Sequence, residues 1–209
     1  MSLGDGTRLL LKQLRRGGAV AAIWRERFVG SRRLLHNLLV PLAAIERGVR
    51  TPRPLALLLV AGPPGLVRGW LAQEEIVDAV DLATRLVSGP APRAEERVRM
   101  MRCVRSAHDA GLDHRDLNLG NLLLAPRDAL LIDLDGARLV PAPLPFEARM
   151  RALRRLERSC IKLLGAGGGT DAHGWIYADY AGDDAPLARR LAAGRDSARL
   201  RRARRRAPG

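Results

Sequence analysis

The stretch that decides the reading is GLDHRDLNLGNLLLAPRDALLIDLDGARL, residues 111–139. Leucine, isoleucine and alanine fill much of it, and polar residues interrupt them at specialised spacings. Leu122-Leu123-Leu124 and residues 129–132 read as two short strands across a turn at Pro126-Arg127-Asp128. A hairpin brings its two ends together. Asn121 stands just before the first strand and Asp133 closes the second, so both side chains are expected to reach one point in space. An amide oxygen and a carboxylate are hard donors suited to Mg²⁺, which also takes water and phosphate oxygens. Asp116, in the loop feeding the hairpin, is placed to accept a proton from an attacking hydroxyl. These are the parts that phosphoryl transfer requires, because its barrier is lowered by alignment and electrostatics. The plainer alternative is a polar turn with incidental acidic residues, and the spacing inside an apolar run argues against it.

The neighbouring polar residues divide by role. His114 reads as an organiser of the loop, its imidazole holding a backbone carbonyl or a carboxylate. Arg115 either contacts a phosphate or is solvated, and the sequence favours neither. Asn118 braces the loop through its amide or approaches the phosphates. Asp135 supports the site from behind, caps a turn near Gly136, or binds the metal; Asp133 is the first choice for the metal because it terminates the strand.

Outward from this stretch, residues 94–110 predict a helix with Glu95 and Glu96 in its first turn, favourable to the helix dipole. Gly111 ends it. Before it, residues 78–87 read as a short helix, and residues 88–92 as a linker. Residues 55–61 and 66–76 read as strands joined by the turn Gly62-Pro63-Pro64-Gly65. Ser31 is expected to cap a helix running to Arg47, kinked or split at Pro41. Residues 19–28 suggest a short helix, and residues 9–14 a strand ending at Arg15-Arg16-Gly17-Gly18. Downstream, residues 147–164 carry a helical pattern and Gly165 to Gly169 a glycine-rich break. The arginine-dense tail from Arg189 is expected to fray. A strand-rich beginning followed by helices implies an α+β fold of two unequal lobes, 1–77 and 78–209.

The chain has 209 residues and a formal net charge of +14. All but two of its 36 basic residues are arginine, the exceptions being Lys12 and Lys162. That surface favours anionic partners, acidic lipid headgroups among them. Nucleic acid is the weaker candidate, since much of the arginine lies at scattered, solvated positions. Cys103 and Cys160 sit in apolar helical patterns and read as buried free thiols of a reducing compartment. The four histidines lack metal-ligand spacing with cysteine, which argues against structural zinc. No apolar run reaches the roughly 18 residues of a membrane span, and the start MSLGDGTRLL does not read as a signal peptide. The expectation is a cytoplasmic protein with peripheral contact at a membrane face.

His114-Arg115-Asp116-Leu117-Asn118-Leu119-Gly120-Asn121 resembles the catalytic loop of protein-kinase-like folds, and Leu131-Ile132-Asp133-Leu134-Asp135-Gly136-Ala137 resembles their metal-binding turn in shortened form. Together they are most similar to the bacterial lipopolysaccharide core kinases, nearest to the 3-deoxy-D-manno-octulosonic acid (Kdo) kinase branch. Fainter echoes lie at Leu11 to Gly18, Thr51-Pro52-Arg53-Pro54 and Leu156 to Leu163. The resemblance implies a two-lobed fold with an incomplete N-terminal β lobe and a helical C-terminal lobe. It implies ATP and Mg²⁺ as cofactors, Asp116 as general base supported by His114 and Asn118, and Asn121 and Asp133 as metal ligands. It implies that Lys12 contacts the ATP phosphates. Gln73, Glu74, Glu75 and Ile76 would form the hinge that meets adenine through backbone groups. The implied acceptor is a hydroxyl of Kdo on a lipopolysaccharide precursor, Kdo-lipid A, at the cytoplasmic face of the inner membrane.

Two departures from that family pattern stand in the sequence. Eight residues precede the first strand, too few for the two strands and glycine-rich loop that open a kinase nucleotide lobe, although Leu3-Gly4-Asp5-Gly6 could be the remnant of a turn. A fragment, a misplaced start and a genuine loss all fit this. Asn37 occupies the position where a glutamate would pair with Lys12, and a neutral amide does not supply that charge. A catalytically impaired kinase-like binding or scaffold protein, and a kinase for another small molecule or protein, are the competing readings.

Overall fold

The structure, a computed structural model, describes residues 8–15, 26–164 and 174–206, with side chains to residue 197. Strands gather at the beginning and helices at the end, giving the expected α+β architecture. The helix expected over residues 19–28 lies largely outside the described residues, as do Leu3 to Gly6 and the break at Gly165 to Gly169.

β4 (Leu66–Glu74) is the centre of the N-terminal sheet. β3 (Pro54–Ala61) runs antiparallel along one side, joined by the Gly62–Gly65 turn, with Ala61 opposite Val67. β1 (Leu9–Gln13) and the short β2 (Phe28–Val29) pair with the C-terminal and N-terminal parts of β4, respectively. Phe28 is thus a strand residue, not a helix end. Leu14, Phe28 and Leu71 pack with Leu34 of α1 (Arg32–Glu46) to form a small core. Gly69 lets α1 approach, since a Cβ there would come within 2.8 Å of Leu34 Cδ2.

Pro41 neither splits nor ends α1, which runs unbroken past it. Proline removes one backbone hydrogen bond. Leu34, Asn37, Pro41 and Ala44 are buried along a single face, and that packing holds the helix through the gap. Gly48, at φ +80, takes the left-handed conformation just beyond its end.

The helix expected from residue 78 begins later. Val80–Asp81 form β5, paired with Leu124 and Leu123 of β7 (Leu122–Leu124). Asp81 then caps α2 (Leu82–Ser88), accepting from the Thr84 N–H at 2.9 Å and from its hydroxyl at 2.7 Å. The acidic side chain at the start satisfies a donor that the helix leaves unpaired, so the strand–helix boundary falls there.

The larger core lies in the C-terminal part. α3 (Ala94–Asp109) contributes Met100, Met101, Val104 and Ala107, and α4 (Phe146–Leu164) contributes Leu153 and Leu156. β7 and β8 (Ala129–Leu131) form the expected hairpin, Leu122 facing Leu131. β6 (Leu112–Asp113) and β9 (Arg138–Leu139) bracket it. α5 (Trp175–Ala181) and α6 (Ala185–Arg206) close the fold. The backbone of the arginine-dense tail is therefore helical to Arg206, not frayed from Arg189. Leu191 is buried, Arg195 bonds Glu157, and Arg154 donates to the Gly194 carbonyl, which anchors its first half.

Candidate active site

Strand periodicity builds the roof of the site. Alternate residues of a strand share a face. Leu10 and Lys12 of β1 therefore face the same way, and their partners across the ladder are Gln73 and Leu71 of β4. All four line a cavity of about 290 Å³ between the sheet and the 132–135 segment. Asn37 and Pro41 of α1 form part of its wall, and Glu74, Glu75, Ile76, Asp133 and Asp135 also border it. The four residues expected to meet adenine thus share one cavity with Lys12 and Asp133. The Glu74 N–H donates to the Arg53 carbonyl and the Glu75 N–H to the Arg8 carbonyl, both at 2.9 Å. Ile76 lies past the strand end, outside the ladder.

Lys12 Nζ is 3.2 Å from Asp133 Oδ1. Asn37, on the same cavity wall, donates to the Arg33 carbonyl, and Glu26 faces Arg15 at 3.9 Å. Among the described residues, the acidic partner of Lys12 is therefore Asp133 and not a glutamate of α1.

The 114–121 loop is held to the hairpin through Ile132. The Ile132 N–H donates to the Asn121 carbonyl at 3.0 Å, and His114 Nε2 donates to the Ile132 carbonyl at 3.0 Å. With both backbone groups of its predecessor fixed, Asp133 adopts the left-handed region at φ 61, ψ 57. That conformation is uncommon for a residue with a Cβ, though aspartate tolerates it better than most. His114 is buried, and desolvation is the main force pushing its pKa below the usual imidazole value. A neutral ring with its proton on Nε2 fits the bond to a carbonyl. Its Nδ1 is buried with no hydrogen-bond partner among the described residues.

Asp116 is exposed at the loop's edge and does not line the cavity. Its carbonyl accepts from Asn121 Nδ2 at 2.8 Å and from Asn118 Nδ2 at 3.1 Å. Asn118 Oδ1 in turn accepts from the Gly120 N–H. Asn118 thus braces the loop from within. The bond to Asp116 occupies the amide nitrogen of Asn121, so its oxygen is the donor atom left for a hard cation. Asn121 and Asp133 supply an amide oxygen and a carboxylate, a set that fits Mg²⁺ carried with phosphates. Among the described residues no three His, Cys, Asp or Glu side chains converge as a larger metal cage.

Several supporting residues escape the sequence reading. Arg155 donates to the His114 carbonyl, and Ser159, one turn along α4, accepts from the Leu119 N–H. Arg33 pairs with Asp135 at 3.3 Å, and His36 Nε2 meets the Ala137 carbonyl at 2.9 Å, tying α1 to the turn after Asp133. Asp135, which also borders the cavity, thus ties α1 to the site from behind. The i, i+4 spacing of Arg155 and Ser159 was a usable signal; the abundance of arginine hid Arg33. Cys103 and Cys160 are buried and form no disulfide among the described residues, and burial pushes the Cys103 thiol up to about 12. No helix among the described residues is long and apolar enough to cross a membrane.

The model of the lipopolysaccharide kinase (Kdo/WaaP) family matches residues 2–181. The chain belongs to this family. It is 34% identical over 163 residues to a 3-deoxy-D-manno-octulosonic acid kinase of Xanthomonas campestris pv. campestris (strain B100), covering 75% of this chain and 63% of that one. A kinase of the same name from Xylella fastidiosa (strain M12) is also 34% identical, over 168 residues, with 75% and 63% covered. The match thus takes in less than two thirds of these relatives' length. Among solved structures, "WaaP in complex with acyl carrier protein" superposes with a TM-score of 0.53 at 20% identity, covering 92% of this chain and 81% of that one. At that identity the likeness concerns the Kdo/WaaP fold alone.

Proposed function

We propose that the chain is an ATP- and Mg²⁺-dependent kinase that phosphorylates a hydroxyl of Kdo on a lipopolysaccharide precursor, Kdo-lipid A. The observation that carries this reading is the shared cavity: Lys12, the 73–76 segment and Asp133 border one space beside the loop bearing Asp116. Lys12 binds the phosphates from the sheet. Ile76 offers the adenine ring a backbone N–H outside the ladder. Asn121 and Asp133 would hold Mg²⁺, which would neutralise charge on the transferring phosphoryl group. Asp116 accepts the proton of the acceptor hydroxyl as its oxygen bonds to the γ-phosphorus, and the bond to the bridging oxygen breaks to release ADP. His114 and Asn118 fix the loop that carries Asp116. Residues 1–77 form the nucleotide lobe and 78–209 the lobe that carries the chemistry. The reaction takes place at the cytoplasmic face of the inner membrane, where the basic surface meets acidic lipid.

ATP turnover with Kdo-lipid A tests this directly. Turnover should fall to background in Asp116→Asn while Mg·ATP binding persists; equal rates in the two proteins would sink the proposal.

A second reading, a kinase-like binding protein without turnover, is favoured by one observation: Asn37 stands on the cavity wall where a glutamate would pair with Lys12. Failure of Mg·ATP to raise the melting temperature would select it.

A further inference from the structure

Beside the cavity described above lies a depression of about 630 Å³. Asp135 borders both. Three separate segments bring arginines to its wall: Arg32 and Arg33 from the first turn of α1, Arg115 from the 114–121 loop, and Arg138 from β9. His36 also borders it, with Nε2 engaged by the Ala137 carbonyl. Among the described residues, Asp135 is the sole acidic residue on the wall, against four arginines.

That carboxylate pairs with Arg33 at 3.3 Å. Arg115 reaches Asp113 only loosely, at 3.8 Å, with half its side chain exposed. Among the described residues, Arg32 and Arg138 have no acidic partner, and both are exposed. Gathering like charges around a concave surface costs repulsion, and an anion in the concavity relieves it. Guanidinium groups suit carboxylate and phosphate because their paired N–H donors match two oxygens at once. Arg115 directly precedes Asp116 in the chain, so the depression's wall includes the loop that carries the group assigned to take the acceptor's proton.

We infer that the Arg32–Arg33–Arg115–Arg138 depression is the subsite that binds an acidic group of the phosphoryl acceptor, a carboxylate or a phosphate. This rests on the kinase reading of the adjoining site. The subsite orients the acceptor: its oxyanion docks on the arginines and its hydroxyl is directed toward Asp116.

Equilibrium binding without nucleotide tests the subsite apart from turnover. The full chain is titrated with Kdo-lipid A and with free Kdo, whose single charge is its carboxylate, and compared with the Arg32→Ala/Arg138→Ala double variant. Removing two charge-assisted contacts is expected to raise the Kd for Kdo-lipid A by at least about tenfold, with Mg·ATP binding unchanged. Affinity should also fall with added salt. A parallel loss for free Kdo identifies the sugar carboxylate as the bound group; a loss confined to the lipid identifies a phosphate. If the double variant melts early, Arg138→Gln alone supplies the comparison at an exposed strand end. Equal affinities in wild type and variants, or no binding of either acceptor by the wild type, overturn the inference. Absence of Mg·ATP binding by the wild type would count against the kinase reading and leave the acceptor titrations interpretable.

Discussion

Lys12 and Asp133 meet across the cleft, Nζ 3.2 Å from Oδ1, although 121 positions separate them in the chain. Their side chains are 46% and 42% exposed, so the pair contributes only about 0–1 kcal/mol to stability. A weak bridge of this kind is readily exchanged. Phosphate oxygens can take over the ammonium, and a cation the carboxylate.

Lys12→Met should therefore leave the fold nearly intact, with unfolding free energy changed by less than about 1 kcal/mol. Mg·ATP affinity should fall by about tenfold or more, the equivalent of one lost charge-assisted contact. Chemical denaturation and nucleotide titration read the two effects separately. Unaltered nucleotide affinity would remove Lys12 from the phosphate site.

His114→Ala removes the donor to the Ile132 carbonyl and opens a hole in a buried place. A destabilisation of about 1–3 kcal/mol is expected. Because Ile132 is held on its other side by Asn121, amide exchange should quicken locally at residues 131–134 before the whole protein opens. Hydrogen exchange at those amides is the measurement; protection equal to wild type would show that the bond to His114 is dispensable.

Acid should weaken the fold through His108. Its Nδ1 lies 2.9 Å from the Tyr180 hydroxyl in the core, and burial foremost, then the charge of Arg149, holds its pKa down at about 3. The unfolded chain takes up that proton near pH 6.5, whereas the folded one resists it. The contribution is thus complete above about pH 6.5 and is lost progressively as pH falls toward 3, at up to about 1.4 kcal/mol per pH unit. Burial shifts His114 in the same direction. Melting temperatures between pH 7.5 and 4.5 should fall in the wild type and flatten in His108→Gln. Parallel curves for the two proteins would refute the assignment.

Gly111→Ala should be among the most damaging single changes. Gly111 links α3 to β6 at φ +82, and a Cβ there would collide with the Val140 carbonyl oxygen. Left-handed strain and a backbone clash together predict a loss of about 3 kcal/mol or more. Denaturation midpoints measure it. A loss below about 1 kcal/mol would mean that the 111–113 and 138–140 segments separate easily.

Local chemistry explains what could be read early. The β7–β8 hairpin and α3 carry their own signals: apolar runs bounded by Pro126 and Asp128, and acidic residues in a first helical turn. Other elements were misread because distant partners decide them. Val80 and Asp81 look helical until β7 offers them a ladder. Pro41 looks disruptive until α1 is packed on the face it shares with Leu34 and Ala44. The tail beyond Arg189 looks like a loose charge run until Glu157 and Leu191 anchor its first half.

The sequence by itself determined the family and the short-range order of the site. His114, Asp116, Asn118, Asn121 and Asp133 stand within twenty positions of each other, so one loop and one hairpin, both local structures, carry them all. Only the tertiary structure decided what they face. It placed Lys12 on Asp133 with Asn37 beside them, and set four arginines from three segments around one depression. Pairings over a hundred residues apart depend on how α1 and the sheet pack together. In a chain with arginine at so many positions, no local pattern distinguishes those that converge from those that are merely solvated.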